Sequence, residues 1–523
     1  MHPMNKFYFV GSGIASLAGA AYLIRDGEAL GKDIVIFESE EDFGGALDAH
    51  GSPQTGYFMS GSRMFEHHYN ATLDLLSFIP SISDPRLSIK EETEKVEKDA
   101  EWHNKARLVN KEGKIVDFHA MGFNEKDRLD LVAIMARTEH SMDSMRITDC
   151  FETHFFTTNF WYEWSTLFAF ESWHSAIEFR RYLHRFIHHF STIDTQEGIF
   201  RTRYNQYDAI ALPIVKWLRG KGVEFRMGTQ VTGLGFATNP DSITVNSLSF
   251  EGNGVVGTFP IAEKDYVFVT NGSMTADKSF GTMTMAPPVS PGGKAWQLWE
   301  TLAAGRPEFG NPSAFNNHID ESTWESFTVT ESDPTFFRLM EAFSGSAPGR
   351  GGLLTFTESQ WLLTLSIFKQ PFYVDQPGGV SVWWGYGLFP DKVGDFVKKP
   401  MKECSGKEIL EEVLGHLRFE KDKEAILASS ICIPCMMPYI TSQFLVRKQG
   451  DRPQVVPPKS KNLAFIGQYA EMPDDVVFTV EYSVRSAQIA VYTLLGLDKD
   501  PSPFYKGQHE LGVLWDAFKT LHR

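Results

Sequence analysis

The sequence predicts an α/β protein: a discontinuous Rossmann-type domain on a parallel sheet, joined to a mixed α+β region with helical lid and C-terminal elements. Three features carry that prediction. A short apolar run, a Gly-x-Gly turn and an Ala-rich helical segment open the chain. A second apolar run, glycine turn and helical segment come near its end. Between them lie a dense aromatic tract and a series of strand-like stretches. At 523 residues the chain exceeds what one ordinary core holds, so two or more domains are expected.

Residues 6–10 (KFYFV) are largely apolar and read as a strand buried on both faces. IASLAGAAYLIRDG reads as a helix stopping at Gly27, and DIVIFES as the next strand, which together make a βαβ opening. Residues 70–150 are mixed and charged, with a solvated run at 91–101. From Phe151 to Phe190 the aromatics crowd together, as helices carrying both core and pocket would have them. YNQYDAIALPIVKWLRGKGVEF reads as a helix ending at Gly220 followed by a strand. Alternating segments up to Thr270 suggest antiparallel strands, and DYVFVTNGS is another buried strand ending in a turn. Gly and Pro cluster at 286–293 and 344–352, the second reading as a loop or a domain boundary. WLLTLSIFKQPFYV and GVSVWWGYGLF read as strands, NLAFIGQYAE as a late strand with a turn, and EYSVRSAQIAVYTLLG as a helix ending at Gly496. The expected division is 1–75, 200–290 and 440–490 for the discontinuous domain, 76–199 and 291–439 for the other region, and 491–523 for a C-terminal helical segment. That last segment carries Leu511, Leu514, Trp515, Phe518 and Leu521 on one helical face, suited to a membrane surface or to docking on the protein itself.

Composition narrows the function. The chain is 42% hydrophobic and 22% charged, as folded soluble proteins are. Its 42 Phe and 12 Trp suit a large apolar cavity as well as a thick core. A net charge of -16 repels phosphate backbones, so no nucleic-acid partner is expected. Four cysteines (Cys150, Cys404, Cys432, Cys435) are too few for a secreted disulfide scaffold and favour a reducing cytoplasm. The start shows no signal-peptide pattern, and no run of about 18 uncharged apolar residues appears. Cys432 and Cys435 have redox-like spacing, but no second pair exists for zinc and no metal is expected; a structural role suits them. His67, His68, His188 and His189 read as solvated or packed.

Gly11 and Gly13 between a buried strand and a helix permit a tight turn and close approach of a pyrophosphate. The helix start, with Ile14 and Ala15, supplies free N–H groups and a positive dipole end. Ser16 stands where a third glycine is usual and is small enough for close packing. Glu38 ends the next strand, where an acid holds a ribose hydroxyl. FAD is favoured over NAD by the run Asp42 to Gly45 just after that acid, and by the late glycine turn at Gly467 with Asp475 and Phe478 beyond it. Asn271, Gly272 and Ser273, after the DYVFVT strand, complete the expected contacts.

The strings GSGIASLAGAAYLIRDG, FGGALD, TNFWYEWSTLFAFESWHSAIEFRRYLHRF, YNQYD, VTNGSMT, WLLTLSIFKQP, YGLFPDKVGDFVKKPM, CMMPYITSQF and GQYAEMPDDVVFTVEYSVRSAQ closely resemble the oleate hydratases, once called myosin-cross-reactive antigens. The resemblance runs in order over nearly the whole chain. It implies addition of water to the cis C9–C10 double bond of oleate, giving 10-hydroxystearate, with FAD required although no net redox occurs. It places the catalytic tyrosine at Tyr182 and a site glutamine at Gln206. The flavin-adjacent loop, typically RGGRExExH, here reads Ser60 to His68, with Ser62 and Arg63 beside the flavin. Met64 falls where the family has its water-activating glutamate. In the family's TLNRQPH strand, Ser366 keeps the hydroxyl, while Phe368 and Phe372 replace the asparagine and histidine. The family is often dimeric; the start of this chain almost at its first strand leans the expectation toward a monomer.

Hydrating an isolated alkene needs a positioned acid, a positioned water and surroundings that tolerate a cation. Tyr182 is the expected acid, with Arg180, Arg181 and Arg185 available to lower its pKa from about 10. As plain core, it would share one helical face with Phe179, Leu183 and Phe186. Water could be held by carbonyls of the 60–64 loop with the flavin, by Glu66, or by Gln206 or Ser366. Phe168, Phe170, Trp173, Phe368, Phe372 and Tyr373 are candidate walls of the channel for an unsaturated fatty acid. Its carboxylate should meet a cation or an amide that the sequence does not single out. The alternatives are a flavin-dependent fatty-acid isomerase or oxidoreductase, and a non-catalytic lipid-binding flavoprotein.

Overall fold

Five strands form a parallel sheet in the order Leu463–Ile466, Tyr266–Thr270, Phe7–Val10, Ile34–Phe37, Glu224–Arg226. The computed structural model describes residues 5–98, 102–239, 241–289 and 291–523. Of the three strands flanked on both sides, Phe7–Val10 and Ile34–Phe37 have every residue buried, which is why they are apolar without alternation. Helices Ile14–Arg25 and Val480–Leu495 pack against one another beside this sheet. Gly19 allows the close approach: a Cβ there would lie 2.6 Å from the Phe9 ring. Gly496, at φ 61°, ends the later helix in the left-handed conformation that glycine tolerates.

The segments before Thr270 form an antiparallel sheet of Thr229–Phe236, Val245–Gly252 and Val255–Pro260. A larger sheet of seven strands builds the second layer. Its order is Ser279–Phe280, Ser430–Met437, Trp324–Glu331, Ser381–Gly387, Leu363–Ile367, Leu353–Phe356, Leu108–Val109, antiparallel except for the last pair. Strand Trp324–Glu331 is buried along its whole length. Cys432 and Cys435 are buried on the strand beside it, and all four cysteines are free thiols. The aromatic tract forms helices Asn159–Phe168 and Ala176–Arg185, both mostly buried.

Some boundaries differ from expectation. The strand expected over WLLTLSIFKQPFYV ends at Ile367, ahead of Pro371, which has no N–H for a ladder. The helix after YNQ begins as a π-turn, Tyr207–Ala211, before the α-helix Leu212–Gly220; Pro213 interrupts the regular bonding there. The 344–352 cluster is a loop between helix Thr335–Ser344 and strand Leu353–Phe356. The charged run at 91–101 is helical to Lys98, and its last residues lie outside the described ones. Among the described residues, no helix is long and apolar enough to cross a membrane. The final helix, Leu511–Thr520, packs on the turn Ile187–Thr192 and buries Ala517 and Thr520. Its Leu511, Leu514, Trp515 and Phe518 remain exposed, while Leu521 beyond it is partly covered.

Candidate functional site

The first part of the site is a cradle at the carboxyl ends of the parallel strands. Gly11 adopts φ 90°, and a Cβ placed on Gly13 would meet nothing within 4 Å, so open space lies before the start of helix Ile14–Arg25. Gly45 closes over Gly13, where its Cβ would lie 3.2 Å from the Gly13 Cα. Gly467, at φ 89°, turns beside Thr270 and Ala15. Ser16 uses its hydroxyl toward Thr270 Oγ1 at 3.3 Å, inside the strand–helix contact. Glu38 accepts from the Ser12 N–H at 2.8 Å and hydroxyl at 2.7 Å, which ties the end of the second strand to the glycine turn. Asn271 is buried, yet neither atom of its amide has a partner. Buried amides are seldom left so, and the unspent donor and acceptor beside the glycine turn suit a polar ligand. Gly272 packs under Trp296, and the Ser273 hydroxyl accepts from the Thr275 N–H. Asp475 turns its carboxylate to Arg485 at 2.9 Å, on the side of helix Val480–Leu495. Backbone and small residues at a helix start, an acid at a strand end and unspent amide groups together fit a dinucleotide.

The second part is a cavity beside the loop 60–66. Ser62, Arg63, Met64, Glu66, Tyr69, Phe168, Tyr182, Phe186, His189 and Phe478 line it, and it opens in part to solvent. It therefore brings together Ser62, Arg63, Met64, Tyr182 and Phe478. Gln206 and Ser366 are not on this lining. The Gln206 amide donates to the carbonyls of Asp48 at 2.9 Å and Gly61 at 2.8 Å, bracing the loop from behind. Ser366 accepts from Arg201 at 2.9 Å. Of the expected walls, Phe168 lines the cavity. Trp173 and Tyr373 are tied to the carbonyls of Glu321 and Phe58, and Phe368 and Phe372 stack on each other at 3.8 Å.

Tyr182 is buried and its hydroxyl donates to the Val477 carbonyl at 2.5 Å. Burial, then the charges of Tyr69 and Glu178, push the phenol well above its usual pKa; Arg185 opposes them and is outweighed. The expected lowering by the three arginines is not found, because two are committed elsewhere: Arg181 pairs with Glu139 and Glu471, Arg185 with Glu66. Burial alone would raise the Glu66 carboxyl, but bonds from His188 and His68 and the charge of Arg185 hold it well below the usual range. Glu66 is thus an engaged carboxylate. Glu66, His188 and His189 lie close enough to share a cation, but Arg185 already neutralises the carboxylate at 2.9 Å. His189 is kept neutral, its pKa pushed down to about 3 by burial and then by His188, and its Nε2 has no protein partner.

One cavity-lining side chain had no distinguishing signal in the sequence. His189 reads as half of an ordinary histidine pair, and only its burial on the cavity wall sets it apart.

Such a cradle and cavity define a Rossmann-type α/β protein built to hold a dinucleotide against an apolar site. The chain matches the model of the MCRA family over residues 4–492 and belongs to that family. It is 36% identical to the oleate hydratase of Streptococcus pyogenes serotype M49 (strain NZ131), over 98% of this chain and 89% of that one. It is 33% identical to the linoleate hydratase of Lactiplantibacillus plantarum, over 97% of this chain and 98% of the relative. Among solved structures, an oxidoreductase from Methanosarcina mazei shares the fold with a TM-score of 0.51 at 12% identity, covering 92% of this chain and 99% of that one.

Proposed function

We propose that the chain is an FAD-dependent hydratase that adds water to the cis-9 double bond of oleate or a similar unsaturated fatty acid, giving the 10-hydroxy acid with no net redox. The observation that carries this reading is Tyr182, a buried phenol on the wall of an apolar cavity that also holds the Ser62–Met64 loop. The names of the two hydratase relatives support the substrate class. Gly11, Gly13, Glu38, Asn271 and Gly467 would hold FAD, with Ser62, Arg63 and Phe478 beside its ring. When bound, FAD supplies an ordered, charge-tunable surface against the alkene.

Tyr182 keeps its proton at neutral pH because its pKa is raised, so the resting phenol is the acid form. It delivers that proton to one alkene carbon while water adds to the other, and the proton lost by the water restores the phenol. Arg185, a nearby charge that lowers the Tyr182 pKa, favours the transient phenolate. On the water side Met64 offers no proton acceptor and Glu66 is engaged. The Ser60 and Gly61 carbonyls already accept from Ser326 and Gln206, so the carbonyls of residues 62–64 and the neutral His189 are the groups left to orient the water. The reducing cytoplasm suits four free thiols, and the exposed Leu511, Trp515 and Phe518 offer peripheral contact with the lipid surface that holds the substrate.

The test is incubation of the flavin-loaded protein with oleate and mass analysis for one added water. Tyr182→Phe should lower turnover by about 10²–10⁴-fold with flavin retained, the range for loss of a general acid. In the same assay His189→Phe should cost more than Glu66→Gln. A shifted double bond, or unchanged product from Tyr182→Phe, would discard the mechanism.

A further inference from the structure

Helix Gly406–Leu417 places Glu412 and His416 one turn apart on one face, against the turn that carries Asp395. One ligand atom from each of the three lies within 4.8 Å of the other two. Glu412 is fully buried and His416 is 4% exposed, while the Asp395 side chain forms a rim toward solvent. None of the three lines the cavity that holds Tyr182. Glu412 Oε1 accepts from the Asp395 N–H at 2.6 Å, and its Oε2 from the N–H groups of Phe396 at 2.8 Å and Val397 at 2.7 Å. Burial alone would raise this carboxyl, but the nearby His416 and those three N–H groups hold it below its usual range. Gly394 lets the turn come so close: a Cβ there would lie 2.9 Å from Glu412 Oε2. Asp395 Oδ2 accepts from the Gln360 N–H at 3.0 Å. Glu412 Oε1 and Asp395 Oδ2 each spend one lone pair on the backbone and keep one. No lysine or arginine among the described residues comes within ion-pair distance of either carboxylate, unlike Glu66, which meets Arg185.

The His416 ring is set in place by Phe356, stacked at 5.1 Å, and by Phe396, edge-on at 5.1 Å. Its buried Nε2 faces both carboxylates, 3.3 Å from Glu412 Oε1 and 3.5 Å from Asp395 Oδ2, and hydrogen-bonds to neither. An imidazolium closing on a carboxylate would settle at about 2.7–2.9 Å. The observed spacings are instead those of a tetrahedron's edges: bonds of about 2.0–2.1 Å to one ion put neighbouring ligand atoms about 3.3–3.4 Å apart. One imidazole nitrogen with two carboxylate oxygens at this spacing suits Zn²⁺, whereas Ca²⁺ and Mg²⁺ take oxygen ligands. The solvent rim at Asp395 leaves the fourth position to water.

We infer that Asp395, Glu412 and His416 form a Zn²⁺-type cation site that pins the 393–400 turn to helix Gly406–Leu417. The site uses no thiol, so the cysteine spacing is silent about it. With three protein ligands and one open position it binds metal exchangeably, unlike a closed structural centre. It stands apart from the proposed hydratase reaction and does not depend on it.

The test is metal uptake by the flavin-loaded protein after stripping with a chelator, titrated with Zn²⁺ against a chromophoric indicator. Wild type should take up one equivalent more than the double variant Asp395→Asn, His416→Gln, and excess Mg²⁺ or Ca²⁺ should not displace it. Each single variant should weaken that equivalent by more than the about 10–100-fold that loss of a merely supporting residue costs. Co²⁺ in place of Zn²⁺ should give the intense visible bands of a tetrahedral ion in wild type and not in the double variant. Zn²⁺ should also raise the Tm of wild type more than that of Asp395→Asn. If His416→Gln does not fold, Asp395→Asn at the solvent rim carries the comparison alone, with flavin absorbance and circular dichroism checking its fold. Equal uptake by wild type and the variants overturns the site, because the metal then sits elsewhere. Absence of uptake by the stripped wild type overturns it too and leaves a metal-free polar cluster.

Discussion

Glu178 stands one helical turn before Tyr182 and holds two guanidinium groups, Arg447 at 2.6 Å and Arg452 at 2.9 Å. All three side chains are buried. Burial alone would raise the Glu178 carboxyl, but Arg452, Arg447 and Arg181 bring it down to about 2. Because the folded value lies below the unfolded value of about 4.3, this group contributes stability above that pH. The contribution is lost as the pH falls from there through about 2. Glu178→Gln should therefore cost about 3–5 kcal/mol at pH 7, since it leaves the buried Arg452 without its carboxylate and Arg447 with only Glu471, at 3.3 Å. Denaturant melts at pH 7 and pH 3 should show a smaller acid loss in the variant than in the wild type; equal losses would remove Glu178 from the acid response. At this scale the sequence reveals chemistry but not pairing. The arginines around Tyr182 were legible as cations. That Glu139, Glu471 and Glu66 neutralise two of them, leaving burial to govern the phenol, depends on groups distant along the chain.

The opening helix shows what an element's own sequence specifies. Its apolar strand, glycine turn and Ala-rich run imply strand, turn and helix because each is a local pattern, set by period and by the conformations glycine allows. Gly19 does a different task. It sits against the Phe9 ring, where even one added carbon would be 2.6 Å away. Gly19→Val should lift the helix from the sheet, lower stability by about 1–3 kcal/mol as overpacking does, and reduce flavin retention. A thermal melt and the ratio of flavin to protein absorbance check this, and unchanged values for both would show that the ring moves aside. Two departures from expectation lie near prolines: Pro371 lies beyond the early end of one strand, and Pro213 sits just after a π-turn.

At the scale of the molecule, the parallel sheet draws its strands from the start, middle and end of the chain, while the seven-stranded sheet draws from residues between 108 and 437. The cavity forms between the 62–69 segment, the aromatic helices and the turn that leads into helix Val480–Leu495. Its lining runs from Ser62 to Val480, so no window of sequence contains it. The final helix is attached on one side and bare on the other. It is fastened by the Leu521 carbonyl to Arg128 at 2.6 Å and by Arg523 to Asp194 at 3.3 Å, with Leu511 86% and Trp515 59% exposed. If that face meets lipid, replacing Leu511, Trp515 and Phe518 together by Ser should lower co-sedimentation with phospholipid vesicles. Turnover of detergent-dispersed oleate should be unchanged. Undiminished co-sedimentation would assign the face to some other contact.

The residues by themselves determined the α/β class, the cofactor turn and the family, because short-range periodicity and long matched strings survive without coordinates. Tertiary structure alone decided which charges are answered. Glu66 and Arg185 answer each other, and Glu178 is answered by Arg447 and Arg452; Arg201, five residues before Gln206, is held by the Ser62 and Ser366 hydroxyls beside aromatic faces. Electrostatic balance depends on distance and desolvation, and both are set by segments that meet only after folding.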